Sequence, residues 1–376
     1  MPYCDTSLVE SRMAQESPQK SRQRKFTPLG IVFSLLGFLL FCYFIKRAGP
    51  DQILGGIKKL GAGFLLILAI SSIRHLARSL SWMLCFDGTE RLKLWDALRG
   101  RLMGDALGNL VGFANVLVSE PAKPAMIRDR VPLIAGLSAI TIENIFYSLS
   151  VGIFIFAGMA TLLLNFHLPK ALRIAGLGTI SAIPIGIAIV FMLIRKQVRF
   201  ISGPIGFLHR RGLSERWLVN GRLLEERVYG FYSRRGSRFL PILLLEASFH
   251  LAGVLEIFVT LSFISLGRPP TIFTAFILES VNRIINVAFK FVPLRMGVDE
   301  AGTGKISALL MFTETTGVTL AIVRKGRDVF WTLVGIGLLV QRGLSLRAMN
   351  RTAEKPGPNA AAPERNNSHV AANESS

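Results

Sequence analysis

The chain has 376 residues, a net charge of +20 and a pI near 10.7, yet only 18% of its residues are charged and 51% are hydrophobic. With a mean hydropathy of +0.45, that composition excludes an ordinary soluble domain and fits a polytopic membrane protein. Nucleic acid is set aside as the partner of the basic excess. The lysines and arginines cluster between apolar runs, as positive-inside topology and anionic lipid require, and no soluble stretch is long enough for a basic, base-stacking domain.

Residues 1–28 form a polar leader rich in base (Arg12, Lys20, Arg22, Arg24, Lys25), predicted to be disordered and cytoplasmic. The apolar run 29–45 is the first span. It ends in Lys46-Arg47 without a small-residue cleavage motif, so it reads as a signal anchor. An amphipathic span follows over 62–84 and carries Arg74, His75 and Arg78. Residues 97–118 are weakly hydrophobic and glycine-rich (Gly100, Gly104, Gly108, Gly112) and run into a proline-broken element at 118–124. Apolar spans at 133–164 and 174–194 complete a first membrane repeat, 29–194. Residues 195–238 are a basic connector containing Trp217 and an amphipathic surface helix. The second membrane repeat, 239–341, holds a span at 239–266, a striped apolar segment at 271–291, a second broken element at 293–304, a short apolar piece at 305–314 and a last span at 317–341. The tail, 342–376, is predicted to be disordered. The three cysteines, Cys4, Cys42 and Cys85, have no paired spacing, so neither a disulfide framework nor a zinc site is expected.

Two elements 180 positions apart echo each other: Val118-Ser119-Glu120-Pro121-Ala122-Lys123-Pro124 and Val298-Asp299-Glu300-Ala301-Gly302-Thr303-Gly304. Each precedes an apolar segment opening on a glycine, Gly136 and Gly317. Paired, interrupted hydrophobic segments in two halves are the sequence mark of a duplicated transporter fold. The leader, connector and tail are the most basic non-apolar segments, which places all three inside. Parity then requires 97–130 to start and finish inside, and 271–316 to start and finish outside. The expected fold is an all-α polytopic membrane protein with an inverted-topology repeat, six full spans plus two re-entrant hairpins, or eight spans if both hairpins cross. Lys46, Arg47, Lys58 and Lys59 fall on the external side in this map, against the charge rule.

The sharpest polar stripe is Glu279, Asn282, Arg283, Asn286 and Lys290, which share one helix face. Such a face must point into the bundle or a wet cavity; the plain alternative is an i,i+4 pair of Glu279 and Arg283 that neutralises itself. Arg101, Asp105 and Asn109 form a shorter counterpart with the acid–base order reversed. In the second broken element, a helix starting near Thr303 would aim its positive end at an anion, with Arg295 and Lys305 beside it and Asp299 and Glu300 free for a proton, a cation or an amine. The alternative is a wet interfacial loop. Arg74, His75 and Arg78 make a basic face for lipid phosphate or for an interface. The Glu246–His250 spacing suits a metal, but no complete ligand set accompanies it, and a buried polar contact is the favoured reading. Arg324, Lys325, Arg327 and Asp328 call for a hydrated cavity, unless the last span begins after Asp328. No catalytic arrangement, metal site or cofactor motif is readable.

The runs Glu279-Ser280-Val281-Asn282-Arg283, Phe291-Val292-Pro293, Gly297 to Thr303, and Gly317 to Lys325 resemble the late motifs of the flippase-like membrane family that shares the transmembrane region of lysylphosphatidylglycerol synthases. The likeness extends over roughly 29–341. In the first half, Ser119 to Pro124 and Arg128 stand where that family has a turn, an acid and an arginine. The resemblance implies lipid handling. The stretch after 341 is too short for the synthases' soluble aminoacyl-transferring domain, so it implies a translocating module and not an enzyme. The resulting expectation is a bacterial inner-membrane protein, multi-pass with both termini cytoplasmic, that translocates a lipid or lipid-linked molecule with an anionic or amine-bearing headgroup. Its expected substrate-binding residues are Glu120, Arg128, Glu279, Asn282, Arg283, Asn286, Arg295, Asp299, Glu300 and Arg324. The alternatives are a membrane enzyme acting on a lipid headgroup, and a non-catalytic partner of a separately encoded lipid-modifying enzyme docked on the connector.

Overall fold

The computed structural model describes residues 50–87, 90–111, 115–211, 214–265, 268–289, 295 and 297–354. The leader, the expected first span, Lys290, Pro293, and the tail beyond 354 lie outside the described residues. Twelve α-helices and no strand occur among the described residues. Apolar runs can satisfy their backbone away from water only as helices in such a chain. In chain order the helices are α1 (Pro50–Leu60), α2 (Gly63–Leu84), α3 (Leu94–Val111), α4 (Asn115–Met126), α5 (Leu133–Asn165), α6 (Lys170–Arg195), α7 (Ser202–His209), α8 (Glu215–Arg234), α9 (Phe239–Ile264), α10 (Ile272–Ala288), α11 (Val298–Leu309) and α12 (Glu314–Glu354). Four of these segments, α2, α5, α6 and the stretch 236–264, are long and apolar enough to cross a membrane, as in a membrane protein.

Three boundaries differ from the sequence expectation. The element at 118–124 is not broken, because α4 runs through both Pro121 and Pro124. The second element does not begin a helix near Thr303. Helix α11 starts at Val298, after Gly297 at φ +79°, a conformation glycine adopts at little cost. The helix begun at Glu314 continues to Glu354, so the expected disordered tail is helical over its first residues. The charged run 324–328 lies well inside α12, not ahead of it.

Helices α3 and α4 form a tight hairpin. Gly104 makes that approach: a methyl group there would overlap the Lys123 side chain and meet the Ser119 carbonyl oxygen at 3.1 Å. Helices α10 and α11 form the second hairpin. The α3 hairpin packs on α12, the α10 hairpin packs on α5, and α2 lies along α9. Helix α6 touches α5 and is otherwise exposed.

Two apolar layers bracket the bundle. One joins Trp82, Phe146, Phe231 and Ile242, tying the connector helix α8 to α2, α5 and α9. The other joins Leu162, Ile257, Leu278, Leu310 and Leu320. Nearly all the buried charge belongs to the helices that run between these layers.

Candidate functional site

On α2, Ser71, Arg74, His75 and Arg78 recur at helical spacing and turn one polar face inward. Arg101, Asp105 and Asn109 do the same on α3, and Arg327, Asp328, Trp331 and Thr332 on α12. With Phe249 of α9 these side chains line a cavity of about 240 Å³, roughly eight water volumes.

Its charges are held by ion pairs that cross between helices. Arg78 grips Glu143 of α5 with two hydrogen bonds, 2.7 and 2.8 Å, and donates a third to Asn144. Arg101 donates to the same carboxylate at 3.0 Å. Glu256 of α9 receives Arg74 at 3.1 Å and also Arg327. Arg327 pairs in addition with Asp328. The Arg74 and Arg78 guanidiniums also lie over aromatic rings, Phe249 at 4.7 Å and Tyr147 at 3.8 Å, contacts that favour a desolvated cation. Trp331 donates its indole N–H to Ser71 at 2.8 Å and packs against the His75 ring at 4.8 Å. Asp105 is the most open of the paired acids on the wall, with 37% of its side chain exposed.

None of the ten expected site residues lines this cavity. Glu120 accepts from Lys123 at 2.8 Å and from Asn144 at 2.6 Å. Lys123 also reaches Asp105 at 3.0 Å, so Glu120 stands one residue behind the wall. Arg128 is exposed in the turn after α4 and is not brought to the others. Glu279 pairs with Arg283 and accepts from Asn282 at 2.9 Å, while Asn286 donates to the Asn282 carbonyl at 2.7 Å. That stripe is buried, as its spacing required, but it forms the self-neutralised pair of the plainer alternative. It meets the cavity through Phe249, over which Arg283 also lies at 4.7 Å. Arg295, at φ +49°, donates to Asp328 at 3.1 Å. Arg324 holds Asp299 at 2.9 Å and Thr303 at 2.6 Å. Glu300 pairs with Lys325 and accepts from the Gly297 N–H at 2.9 Å. The acids of the second element are therefore tied down and not free.

Glu143 is the residue that pattern reading missed. It is the sole charged side chain in the 33 residues of α5, and a lone acid in an apolar span is a signal in its own right. His250 faces Ser150 at 3.1 Å, and among the described residues no group of three or more possible ligands is placed to hold a metal.

Outside the bundle, the connector helices are set by one buried acid. Glu225 accepts from the Ile201 and Ser202 backbone N–H groups and the Ser202 hydroxyl, capping α7. Burial and the neighbouring Glu225 both raise the Tyr229 phenol above its ordinary range, and its O–H donates to the Val198 carbonyl. Comparison with known proteins supplies no family: no family model, curated protein or solved structure matches this chain.

Proposed function

We propose that the chain is a membrane translocase for a lipid or lipid-linked molecule, and that the headgroup occupies the cavity between α2, α3, α9 and α12. The observation that carries this reading is a charged cavity of about 240 Å³ lined by helices that are otherwise those of a membrane protein. Charge at that depth is retained where it lines a substrate path. The lining suits holding more than bond-breaking. Its charges are paired, Ser71 donates to the Leu68 carbonyl, and Thr332 donates to the Asp328 carbonyl.

An inverted duplication is part of the same proposal. Each half contains a span, a hairpin of a long and a short helix, and a very long helix. Each hairpin packs against the long helix of the other half. Arg101 and Glu279 both stand seven residues past the start of their helices, and Asp105 and Arg283 both stand eleven past it. Arg78 and Glu256 both lie sixteen residues before those starts. The halves thus place opposite signs at matching positions, and the pairs Arg78–Glu143 and Glu256–Arg327 carry the inversion into contacts. Helices α4 and α11 have twelve residues each, about 18 Å of rise against a hydrocarbon core of about 30 Å. That length favours re-entrant hairpins over an eight-span arrangement. The resemblance to the flippase-like family, a bacterial inner-membrane location and cytoplasmic termini belong to the same proposal.

The test is lipid movement in liposomes. Fluorescent phospholipids in the inner leaflet are scored by dithionite quenching, with and without protein. Arg74→Gln is the control of choice, because Glu256 keeps Arg327 and the fold keeps its pairing. Extra quenching that drops at least tenfold in rate in Arg74→Gln is expected. No extra quenching with anionic, zwitterionic or amine-bearing headgroups would remove the translocase reading.

A further inference from the structure

We infer that Glu246 is a proton-binding site, and that its proton decides which carboxylate Arg78 holds. The inference deepens the translocase reading, on which its coupling to transport rests, by naming a driving ion.

Glu246 differs from every other buried acid of the bundle. Glu143 takes Arg78 and Arg101, Glu256 takes Arg74 and Arg327, Glu279 takes Arg283, and Asp299 takes Arg324. Glu246 is fully buried, yet it has no ion pair among the described residues. Its Oε1 accepts one hydrogen bond, from the Ser81 hydroxyl at 2.7 Å, and its Oε2 has no partner. The groups facing it are known from each neighbouring helix. Arg78, Ser81 and the Cys85 thiol stand on or just after α2, Arg101 on α3 and Glu143 on α5, while His250 lies one turn along α9 with Ser150 as its partner. An ionised carboxylate placed there, unpaired and beside the Glu143 charge, is strongly disfavoured. A neutral acid avoids most of that cost, so the arrangement in the structure, with no cation on the Glu246 carboxyl, is the one that suits the protonated acid.

Loss of that proton leaves a buried charge in need of a cation. Arg78 is the cation at hand. It stands one turn from Ser81 on the same helix, and Ser81 already holds the Glu246 carboxyl. Its present partner can spare it, because Glu143 also has Arg101 at 3.0 Å. Arg78 is a wall residue of the cavity. Its transfer from Glu143 to Glu246 takes one positive group out of the headgroup chamber as one proton leaves the protein. Binding the proton restores the group. The charge balance of the bundle is the same in both states apart from that proton.

The experiment is infrared spectroscopy of the full chain in lipid across a pH series, with Glu246→Gln and Ser81→Ala alongside. Glu246→Gln keeps the shape of the neutral acid and is expected to fold as the parent does. The expected result is a protonated-carboxyl carbonyl band in the parent that is missing from Glu246→Gln and fades as pH rises. In Ser81→Ala, which loses the donor that favours the ionised form, the band should persist to higher pH. A carboxyl band unchanged by Glu246→Gln overturns the inference, and so does a Glu246 band that survives to every pH at which the protein stays folded. Liposome transport with an imposed pH gradient then reads the coupling. Stimulation in the parent but not in Glu246→Gln supports it, and equal stimulation in both overturns it. A chain that moves no lipid but shows the titrating band overturns the translocase reading while supporting the proton site.

Discussion

Glu256 receives two guanidiniums, Arg74 and Arg327, whereas Asp299 has Arg324 as its only cation among the described residues. The two arginines should therefore behave differently when removed. Arg324→Met strands a buried carboxylate and should cost about 3–5 kcal/mol, visible as a large fall in melting temperature. Arg74→Gln leaves Glu256 paired and should cost about 1 kcal/mol, the scale of one hydrogen bond. A melting temperature for Arg74→Gln as low as that of Arg324→Met would contradict the shared pairing at Glu256. Glu143 carries the converse risk. Its replacement by Ala deprives Arg78 and Arg101 of their common partner, and a loss of at least 3 kcal/mol is expected on the same grounds. Residue type and spacing already showed that the stripe at 279–286 must turn away from lipid, whereas the basic face at 74–78 was read as one for lipid phosphate or an interface and instead lines the cavity. They could not show which acid meets which base, because every decisive pair crosses between helices far apart in sequence: Arg78 with Glu143, Arg74 with Glu256, and Lys325 with Glu300.

At the scale of elements, helix periodicity and apolar length placed α2, α5, α6 and α9 within a few residues of their ends. The expectations failed where a local rule met a tertiary contact. Two prolines predicted a break at 118–124, but α4 is pinned on α3 through the Gly104 contact and the Lys123 bridge to Asp105, and Lys123 also pairs with Glu120 within α4. That packing offsets the lost backbone hydrogen bonds. It also makes Gly104 sensitive. Gly104→Leu must push α4 away from α3, at about 1–3 kcal/mol of overpacking strain, and should loosen the cavity wall at Asp105. A melting temperature unchanged in the variant would argue against this. A weaker tie joins the far end of α12 to the turn after α4. Burial opposes ionisation of Asp129, and the hydrogen bond from Arg342 outweighs it, holding the carboxyl below its usual range. The lowered value means this tie contributes above the ordinary carboxylate range and is lost as pH falls through the lowered one. Asp129 is 56% exposed, so Arg342→Ala should change stability by no more than about 0.5 kcal/mol, and less at high salt. A larger, salt-insensitive change would mean the pair is shielded in the membrane-embedded protein.

At the scale of the molecule, the sequence already carried two copies of an acidic element, but only packing reveals that each hairpin rests on the long helix of the opposite half. If the halves run in opposite senses, the ends of the two short helices must emerge on opposite faces of the membrane. Arg128, in the turn after α4, then faces the same side as the basic connector. Met311, in the turn after α11 and 74% exposed, faces the other side. Single cysteines at these two positions, on a chain whose Cys4, Cys42 and Cys85 have been replaced, test this directly. In intact cells a membrane-impermeant maleimide should label Met311→Cys from outside and leave Arg128→Cys unlabelled until the membrane is opened. Both side chains are exposed and take part in no ion pair among the described residues, so neither substitution should disturb the bundle. Labelling of both sites from one side would mean that the halves run in the same sense. The matching of Arg101 with Glu279 and of Arg78 with Glu256 would then reflect two parallel repeats, and a single central chamber exchanged between two faces would no longer follow from the fold.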